Sequence, residues 1–206
     1  MVLAVGLVAD LWSKQLAFER VAGRPVVITR AEVMATDALG TLIPRHDPVV
    51  VVPSVLEFTL VLNPGAVFGL GAGKRVLFIG FTIVAIVLGF AMFAGWTRSR
   101  DWIAHASIGL LLAGGLGNLY DRLTFACVRD FIHPLPGVTV AGREIWPYVS
   151  NVADALLIFG IVGLMVYLWT SDHHQTPRQD LDTGTSTDPG ASKHESDGSA
   201  GTRGAE

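Results

Sequence analysis

The sequence predicts an all-α membrane protein with four transmembrane helices and a small extracytoplasmic β subdomain in its first loop. Half of the 206 residues are hydrophobic, only 16% are charged and the mean hydropathy is +0.48. A soluble domain would carry about 25% charged residues, so these values indicate a membrane protein. The net charge of −3 gives no indication of a nucleic-acid partner. The single cysteine excludes an intrachain disulfide framework and a cysteine-rich metal site.

The first apolar segment covers residues 1–18 and is interrupted by Asp10 and Lys14. These two residues are four positions apart, so one helical face brings them together as an ion pair. Only nine residues precede Asp10, about 14 Å of helix, which is short for a span of about 20 residues. Either the helix uses the whole run or the natural chain starts further upstream. No cleavable signal peptide is expected, because no small-residue cleavage site follows.

Residues 19–75 form a long first loop, which we interpret as the β subdomain. Val26-Val27-Ile28 and Val49–Val52 are β-branched runs bounded by prolines, and residues 55–62 alternate as a strand does. The turn-rich stretch that follows contains apolar residues that suit the boundary between water and lipid. The subdomain is therefore predicted to lie on the membrane surface.

Three further apolar runs predict the remaining spans, at residues 76–96, 102–123 and 151–169. Two arginines in the short loop before residue 102 mark that loop as cytoplasmic, because cytoplasmic loops are enriched in basic residues. Residues 124–150 then form an outer loop, and both chain termini lie in the cytoplasm. Residues 1–170 make up the membrane domain. Residues 171–206 are rich in Ser, Thr, Gly and Asp and are predicted to be a disordered cytoplasmic tail.

Polar side chains cluster where two of the predicted spans meet water. Asn118 and Asp121 are three residues apart and share one face of the third span. Asn151 and Asp154 repeat this spacing at the start of the fourth span. Asp130 lies nine residues beyond Asp121, where a short loop can fold it back over the helix ends. Because charged groups at the centre of a membrane cost roughly 2.5–3.5 kcal/mol each, we expect these residues to be functional.

Two carboxylates from this cluster could form an aspartic dyad. Carboxylates a few ångströms apart share a proton, so one can activate a water while the other polarises a carbonyl. The alternative is structural: each aspartate caps a helix or pairs with Arg122 or Arg129. Asn151 fits the N-cap of the fourth span, with Asp154 at its third helical position. These considerations do not distinguish Asp121 from Asp130 as a member of the dyad.

Five motifs occur in order along the first 170 residues. They are DLWSK at residues 10–14, NPGAVFG at residues 63–69, GGLGNLYDR at residues 114–122, VRDF at residues 128–131 and SNVAD at residues 150–154. In sequence and order they resemble the motifs of lipoprotein signal peptidase, or signal peptidase II, a family of bacterial membrane aspartic proteases. The glycines of the third motif also remove side chains where a neighbouring helix can approach closely.

This resemblance implies cleavage of prolipoproteins on the N-terminal side of a diacylglyceryl-modified cysteine. By motif position it makes Asp130 and Asp154 the catalytic pair and Asp121 a supporting residue. The other residues that it implies as substrate-binding or supporting are Asn63, Gly65, Asn118, Arg122, Asn151, Asp10 and Lys14. No metal or cofactor is expected. The expected partners are lipid-modified prolipoproteins and membrane lipids, and the expected state is a monomer with its active site at the extracytoplasmic face of the cell membrane.

Three departures from the family pattern concern the fit of the substrate more than the chemistry. Ser150 and Val67 replace an aromatic residue and an alanine, and the segment between Asp130 and Asp154 is a few residues longer than usual. Two other functions compete with the peptidase. A transporter would use the carboxylates as a proton relay, although an inverted repeat is lacking and the carboxylates lie at one membrane face. A non-catalytic assembly factor would not need them.

Overall fold

The computed structural model describes residues 1–65, 75–95, 97 and 100–172. Three sequence features fall partly or wholly outside these described residues. They are the second half of the motif at residues 63–69, Arg98 of the predicted cytoplasmic loop, and the predicted tail from residue 173 onward.

Four long helices account for most of the described residues. They are α1 (Val2–Arg20), α3 (Arg75–Gly95), α4 (Trp102–Thr124) and α5 (Val152–Asp172). Their ends lie within three residues of the predicted positions. By length and composition, α4 and the Val152–Thr170 part of α5 are apolar enough to cross a membrane. The helix α4 packs against the other three helices and therefore forms the centre of the bundle.

Two glycines allow α4 to approach its neighbours closely. A Cβ atom on Gly114 would collide with the backbone carbonyl oxygen of Ala153 in α5. A Cβ atom on Gly117 would collide with the carboxylate of Asp10 in α1. Gly115, in contrast, faces α3 at an ordinary contact distance of 3.5 Å from Ile86. The predicted role of the glycine-rich motif in close helix packing is thus confirmed for the first and last of its three glycines.

A three-stranded antiparallel sheet lies beside the helices. Its order is β1 (Val49–Val52), β2 (Leu56–Asn63) and β3 (Val128–Pro134). The strands β1 and β2 agree with the predicted strands. Strand β3, however, comes from the segment 124–150, which was predicted to be an outer loop. The prediction failed because the first four residues of β3 are all buried, so the strand does not show the polar–apolar alternation of a half-exposed strand.

The rest of the first loop contains less β structure than predicted. Val26-Val27-Ile28 belongs to no strand. Instead, the Val26 backbone N–H donates to the Phe18 carbonyl oxygen at 2.8 Å, and Val26 and Ile28 are buried in the core between α1 and the sheet. A short helix, α2 (Arg30–Ala35), and a 3-10 turn (Leu39–Leu42) follow. Beyond β3, two-residue strands β4 (Thr139–Val140) and β5 (Arg143–Glu144) form a hairpin.

The Gly114 contact predicts opposite effects for two glycine-to-alanine variants. Gly114→Ala should lower the melting temperature of the detergent-solubilised protein, because the new methyl group has to displace the α5 backbone. Gly80→Ala, within α3, is the matched control, since no atom lies within 4 Å of a Cβ atom there. It should raise stability by about 0.5–1 kcal/mol through helix propensity. Equal melting temperatures for the two variants would contradict the proposed helix contact.

Candidate active site

The site is built around a lysine ammonium group that is fully buried. Lys14 and Asp10, one turn apart in α1, are both 0% exposed, and their Nζ and Oδ2 atoms lie 2.9 Å apart. The same Nζ donates to Asn118 Oδ1 at 3.0 Å and lies 3.6 Å from Asp121 Oδ2. A buried charge is tolerated when it is paired and fully hydrogen-bonded. The predicted ion pair between Asp10 and Lys14 is therefore confirmed. Through Asn118 and Asp121, Lys14 also holds α1 against α4.

Asp10 extends this contact to a third helix. Its Oδ1 atom accepts a hydrogen bond from the backbone N–H of Ala153 at 2.8 Å. Ala153 lies in the first turn of α5, where backbone N–H groups have no partner within the helix. One carboxylate thus joins α1 to the end of α5 that carries Asp154.

Asn151 and Asp154 cap the start of α5 reciprocally. The Asn151 side-chain oxygen accepts from the Asp154 backbone N–H at 3.1 Å, and Asp154 Oδ2 accepts from the Asn151 backbone N–H at 3.2 Å. This confirms Asn151 as the N-cap residue. The second carboxylate oxygen of Asp154 accepts from Asn118 Nδ2 at 2.8 Å. Asp154 is therefore fixed from both α4 and its own helix, while its side chain remains half-buried.

Asp130, in strand β3, is held by two side-chain amides. Its oxygens accept from Asn63 Nδ2 at 3.1 Å and from Asn151 Nδ2 at 2.6 Å, and the residue is 1% exposed. Asn63, at the end of β2, also accepts the Gly65 backbone N–H at 2.9 Å. Gly65 has φ = 105°, a conformation that a residue with a side chain rarely adopts. Gly65 therefore shapes the turn that orients Asn63 toward Asp130.

The surroundings of Asp130 favour its protonated form. Burial, reinforced by the negative charge of Asp154, raises the pKa of Asp130 from 3.8 to about 7. The hydrogen bonds from Asn151 and Asn63, together with the more distant charge of Lys14, oppose this rise in pKa. A neutral carboxyl beside a second carboxylate is the arrangement in which two acids share one proton. The same asparagine, Asn151, binds both acids, so their geometry is coupled.

Asp121 is bound in a different way. Arg129 donates to its carboxylate from Nη2 at 2.9 Å and from the backbone N–H at 3.0 Å. The guanidinium also lies over the ring of Phe125, 4.3 Å from its centroid. The structural alternative for this aspartate, pairing with an arginine, is thus confirmed. Asp121 has its charge balanced by cations on both sides, whereas Asp130 has amide partners and an anionic neighbour.

Arg129 was considered in the sequence only as a pairing partner, yet it lies at the centre of this arrangement. It is 5% exposed and directly precedes Asp130 in β3. Successive residues of a strand point to opposite faces, so Arg129 anchors the back of the strand while Asp130 faces the asparagines. The signal in the sequence for this role was an arginine directly beside a predicted catalytic aspartate in an apolar stretch.

Arg122 completes the set of predicted residues. Its Nη1 lies 3.4 Å from the Asn118 carbonyl oxygen, and its charge interacts with Asp154, Asp130 and Asp121. All ten predicted site residues therefore belong to one connected network. They are Asp10, Lys14, Asn63, Gly65, Asn118, Asp121, Arg122, Asp130, Asn151 and Asp154.

A pair of acids where a bundle of apolar helices meets a small sheet is the arrangement of a membrane aspartic peptidase. The chain belongs to the signal peptidase II family, whose model matches residues 2–170. Curated relatives named lipoprotein signal peptidase include one from Desulfitobacterium hafniense, 35% identical over 63% of this chain and 79% of that protein. Another, from Moorella thermoacetica, is 34% identical over 68% of this chain and 89% of that protein.

The fold also matches solved structures. One, a bacterial membrane enzyme determined by the in meso method at 2.3 Å resolution, has a TM-score of 0.62. The likeness covers 86% of this chain and 91% of the other, at 23% sequence identity. A second bacterial membrane enzyme, determined at 1.9 Å, gives a TM-score of 0.59. At this identity the comparison supports the fold alone.

The Asp121–Arg129 pair predicts strong coupling in a double-mutant cycle. Arg129→Met and Asp121→Asn should each destabilise the protein by about 3–5 kcal/mol, because each disrupts a buried ion pair. The double variant should be more stable than the sum of the two losses predicts, by about 0.5–3 kcal/mol. Thermal unfolding in detergent measures all three variants.

An exposed pair on α1 provides the control for this cycle. Gln15 donates to Glu19 at 2.7 Å on the surface, and Glu19→Gln should change stability by no more than about 0.5 kcal/mol. Additive losses in the cycle would mean that Arg129 and Asp121 stabilise the protein independently.

Proposed function

We propose that this chain is a lipoprotein signal peptidase that hydrolyses prolipoproteins on the N-terminal side of a diacylglyceryl-modified cysteine. Asp130 and Asp154 are its catalytic pair. The observation that carries the assignment is the shared asparagine: Asn151 binds both acids, and Asp130 lies buried beside a second, anionic carboxylate. Asp121, in contrast, is neutralised by Arg129.

The geometry supports a general acid–base mechanism. The protonated carboxyl of the pair, Asp130, donates a hydrogen bond to the scissile carbonyl oxygen, while the carboxylate of Asp154 takes a proton from the attacking water. The hydroxide adds to the carbonyl carbon and forms a tetrahedral intermediate. A proton from the pair then passes to the cysteine nitrogen as the C–N bond breaks, which releases the signal peptide as a carboxylic acid. Arg122 supplies positive charge where the oxyanion develops.

The amides of the network have a second role in this proposal. Asn63, Asn118 and Asn151 carry hydrogen-bonding groups close to the two acids and are suited to orient the peptide backbone of the substrate. Asp10 and Lys14 hold α1, α4 and α5 together. No metal or other cofactor takes part.

The proposed arrangement in the membrane has four spans, α1, α3, α4 and α5, with both ends of the membrane domain in the cytoplasm. Support comes from the lengths of the helices and from the arginines in the loop before Trp102. The sheet and both acids then lie at the extracytoplasmic surface, where the modified cysteine of a prolipoprotein is presented. The diacylglyceryl chains remain in the bilayer, and the protein acts as a monomer.

Substitution of either acid should abolish processing of a diacylglyceryl-modified prolipoprotein by the purified enzyme. Asp130→Asn and Asp154→Asn should each lower kcat by about 10²–10⁴-fold, the usual contribution of a general acid or base. Asp121→Asn is the matched control: its folded fraction should retain turnover, because Asp121 contacts neither acid. The assay runs in detergent without an ion gradient, a condition under which a transporter has no measurable activity.

Two results are incompatible with Asp130 and Asp154 as the catalytic pair. Full activity of Asp130→Asn or Asp154→Asn would exclude the pair. Loss of activity in Asp121→Asn alone would mean that Asp121 is a catalytic acid and that the proposed pair is wrong.

The raised pKa of Asp130 predicts that activity falls as the pH increases. The proton shared by the pair is lost near pH 7, so kcat/KM should decline above that value. Asn63→Ala should move this decline to higher pH, because its amide favours the charged form of Asp130. The control is His133→Gln. His133 pairs with Glu57, with 2.8 Å between Nδ1 and Oε1, and not with either acid. The decline should persist in this variant, and its disappearance would assign the titration to the histidine.

The same pKa has a consequence for stability. Because the pKa of Asp130 in the folded protein lies above 3.8, the folded state retains a proton that the unfolded chain has lost. The stabilisation is therefore complete below about pH 4 and disappears as the pH rises through about 7.

A further inference from the structure

The two faces of strand β3 lie in different environments. Asp130 points toward Asn63 and Asn151, as described above. Phe131, the next residue, points to the opposite face and packs against Phe58 of β2, with the ring centroids 5.7 Å apart. Beyond Arg129, the back of the catalytic strand is thus apolar, and it faces α1.

An apolar cleft opens at this back face. Its volume is about 320 Å³, at the lower end of the roughly 300–1,000 Å³ that ligand pockets occupy. Residues of α1 form one wall and residues of the sheet form the other. They include Leu16, Ala17 and Arg20 from α1, and Val49, Phe58 and Phe131 from the sheet. Neither catalytic acid lines the cleft.

The apolar surface continues from the cleft along strand β1. Val49–Val52 are between 45% and 58% exposed, so valines project from both faces of an edge strand. Exposed apolar edge strands are avoided in water because they invite aggregation. In a membrane protein, lipid removes this problem.

Among the described residues that line the cleft, one side chain is charged. Arg20 is in the last turn of α1 and is exposed. Under the proposed topology this turn is at the outer surface of the membrane, the level of the lipid phosphates. An apolar cleft with a cation at its rim matches the chemistry of a phospholipid, which joins an acyl chain to a phosphate.

We propose that the cleft binds one acyl chain of a membrane phospholipid and that Arg20 binds the phosphate of the same molecule. The acyl chain itself gains little free energy on binding, because it only exchanges one apolar environment for another. The favourable free energy of binding comes from the cleft walls, which water would otherwise contact, and from the ionic contact with Arg20. The occupant is not the substrate, because the cleft lies on the opposite face of β3 from Asp130. The proposal depends on the placement of the sheet at the outer membrane surface but not on catalysis.

The test uses a light-activated lipid. The full chain is reconstituted in phosphatidylcholine nanodiscs that contain phosphatidylglycerol with a diazirine in the middle of one acyl chain. After illumination, mass spectrometry of peptides should place the label on residues 13–21 and 49–58. Val49→Trp, which fills the cleft, should lose most of this label. Val50→Trp is the matched control, because Val50 is exposed on the same strand but lies outside the cleft lining, and this variant should keep the label.

A second pair of variants tests the phosphate contact and does not depend on the folding of Val49→Trp. Arg20→Gln should lower labelling by the phosphatidylglycerol probe about fivefold. This factor corresponds to the free energy of about 1 kcal/mol that one basic residue contributes to binding an anionic lipid surface. Arg24→Gln, an exposed arginine outside the cleft, is its control. Labelling by a diacylglycerol probe with the same chain should not respond to Arg20→Gln.

Two results would overturn the proposal. Equal labelling of Val49→Trp and Val50→Trp would show only the general lipid shell around the helices. Equal loss of both probes in Arg20→Gln would mean that the arginine does not bind phosphate. A chain that labels as expected but cleaves no prolipoprotein would refute the peptidase function and leave the lipid site intact.

Discussion

The buried ammonium group of Lys14 is the constraint on which the arrangement of the helices depends. A fully desolvated cation is stable only where its surroundings supply oxygen ligands in good geometry. Here α1 supplies Asp10 and α4 supplies Asn118, with Asp121 slightly further away. Asp10 also accepts the backbone N–H of Ala153. Moving α1 and α4 apart would therefore remove an oxygen ligand from the Lys14 ammonium group, and moving α5 would remove a hydrogen-bond donor from the Asp10 carboxylate. The glycines at positions 114 and 117 allow this close approach.

The two kinds of aspartate in the site differ in what compensates their charge. Asp121 lies between the cations Lys14 and Arg129, and both ion pairs hold its carboxylate in place. Asp130 is bound by uncharged amides and lies near the anionic Asp154. Neutral donors orient a carboxylate without holding it permanently ionised. This difference suits one aspartate to structure and the other to proton transfer, although all three acids belong to the same network.

The sequence predicted the helices well because long apolar runs separated by turn-rich loops leave few alternatives. It also predicted the cap of α5, because Asn151 and Asp154 have the spacing that a reciprocal cap requires. It did not predict that Asp130 lies in a strand. The alternation that reveals a strand needs one wet face, but the first four residues of β3 are all buried, and α1 and α4 pack against the strand. Similarly, Val26-Val27-Ile28 has strand-forming residues but finds no partner strand, so packing against the core determines its conformation. Separating Asp121 from Asp130 required knowing where Arg129 points.

The alternation of β3 gives this strand two functions at once. Arg129 and Phe131 fix its back face, one through the ion pair with Asp121 and the other through packing against Phe58. Asp130, between them, is then presented to the asparagines with little freedom to move. A loop could carry the same aspartate, but it would lack this support on the opposite face. The proposed catalytic acid therefore depends on Arg129 and Phe131 at the back of the strand, and changes to these two residues should alter the position of Asp130.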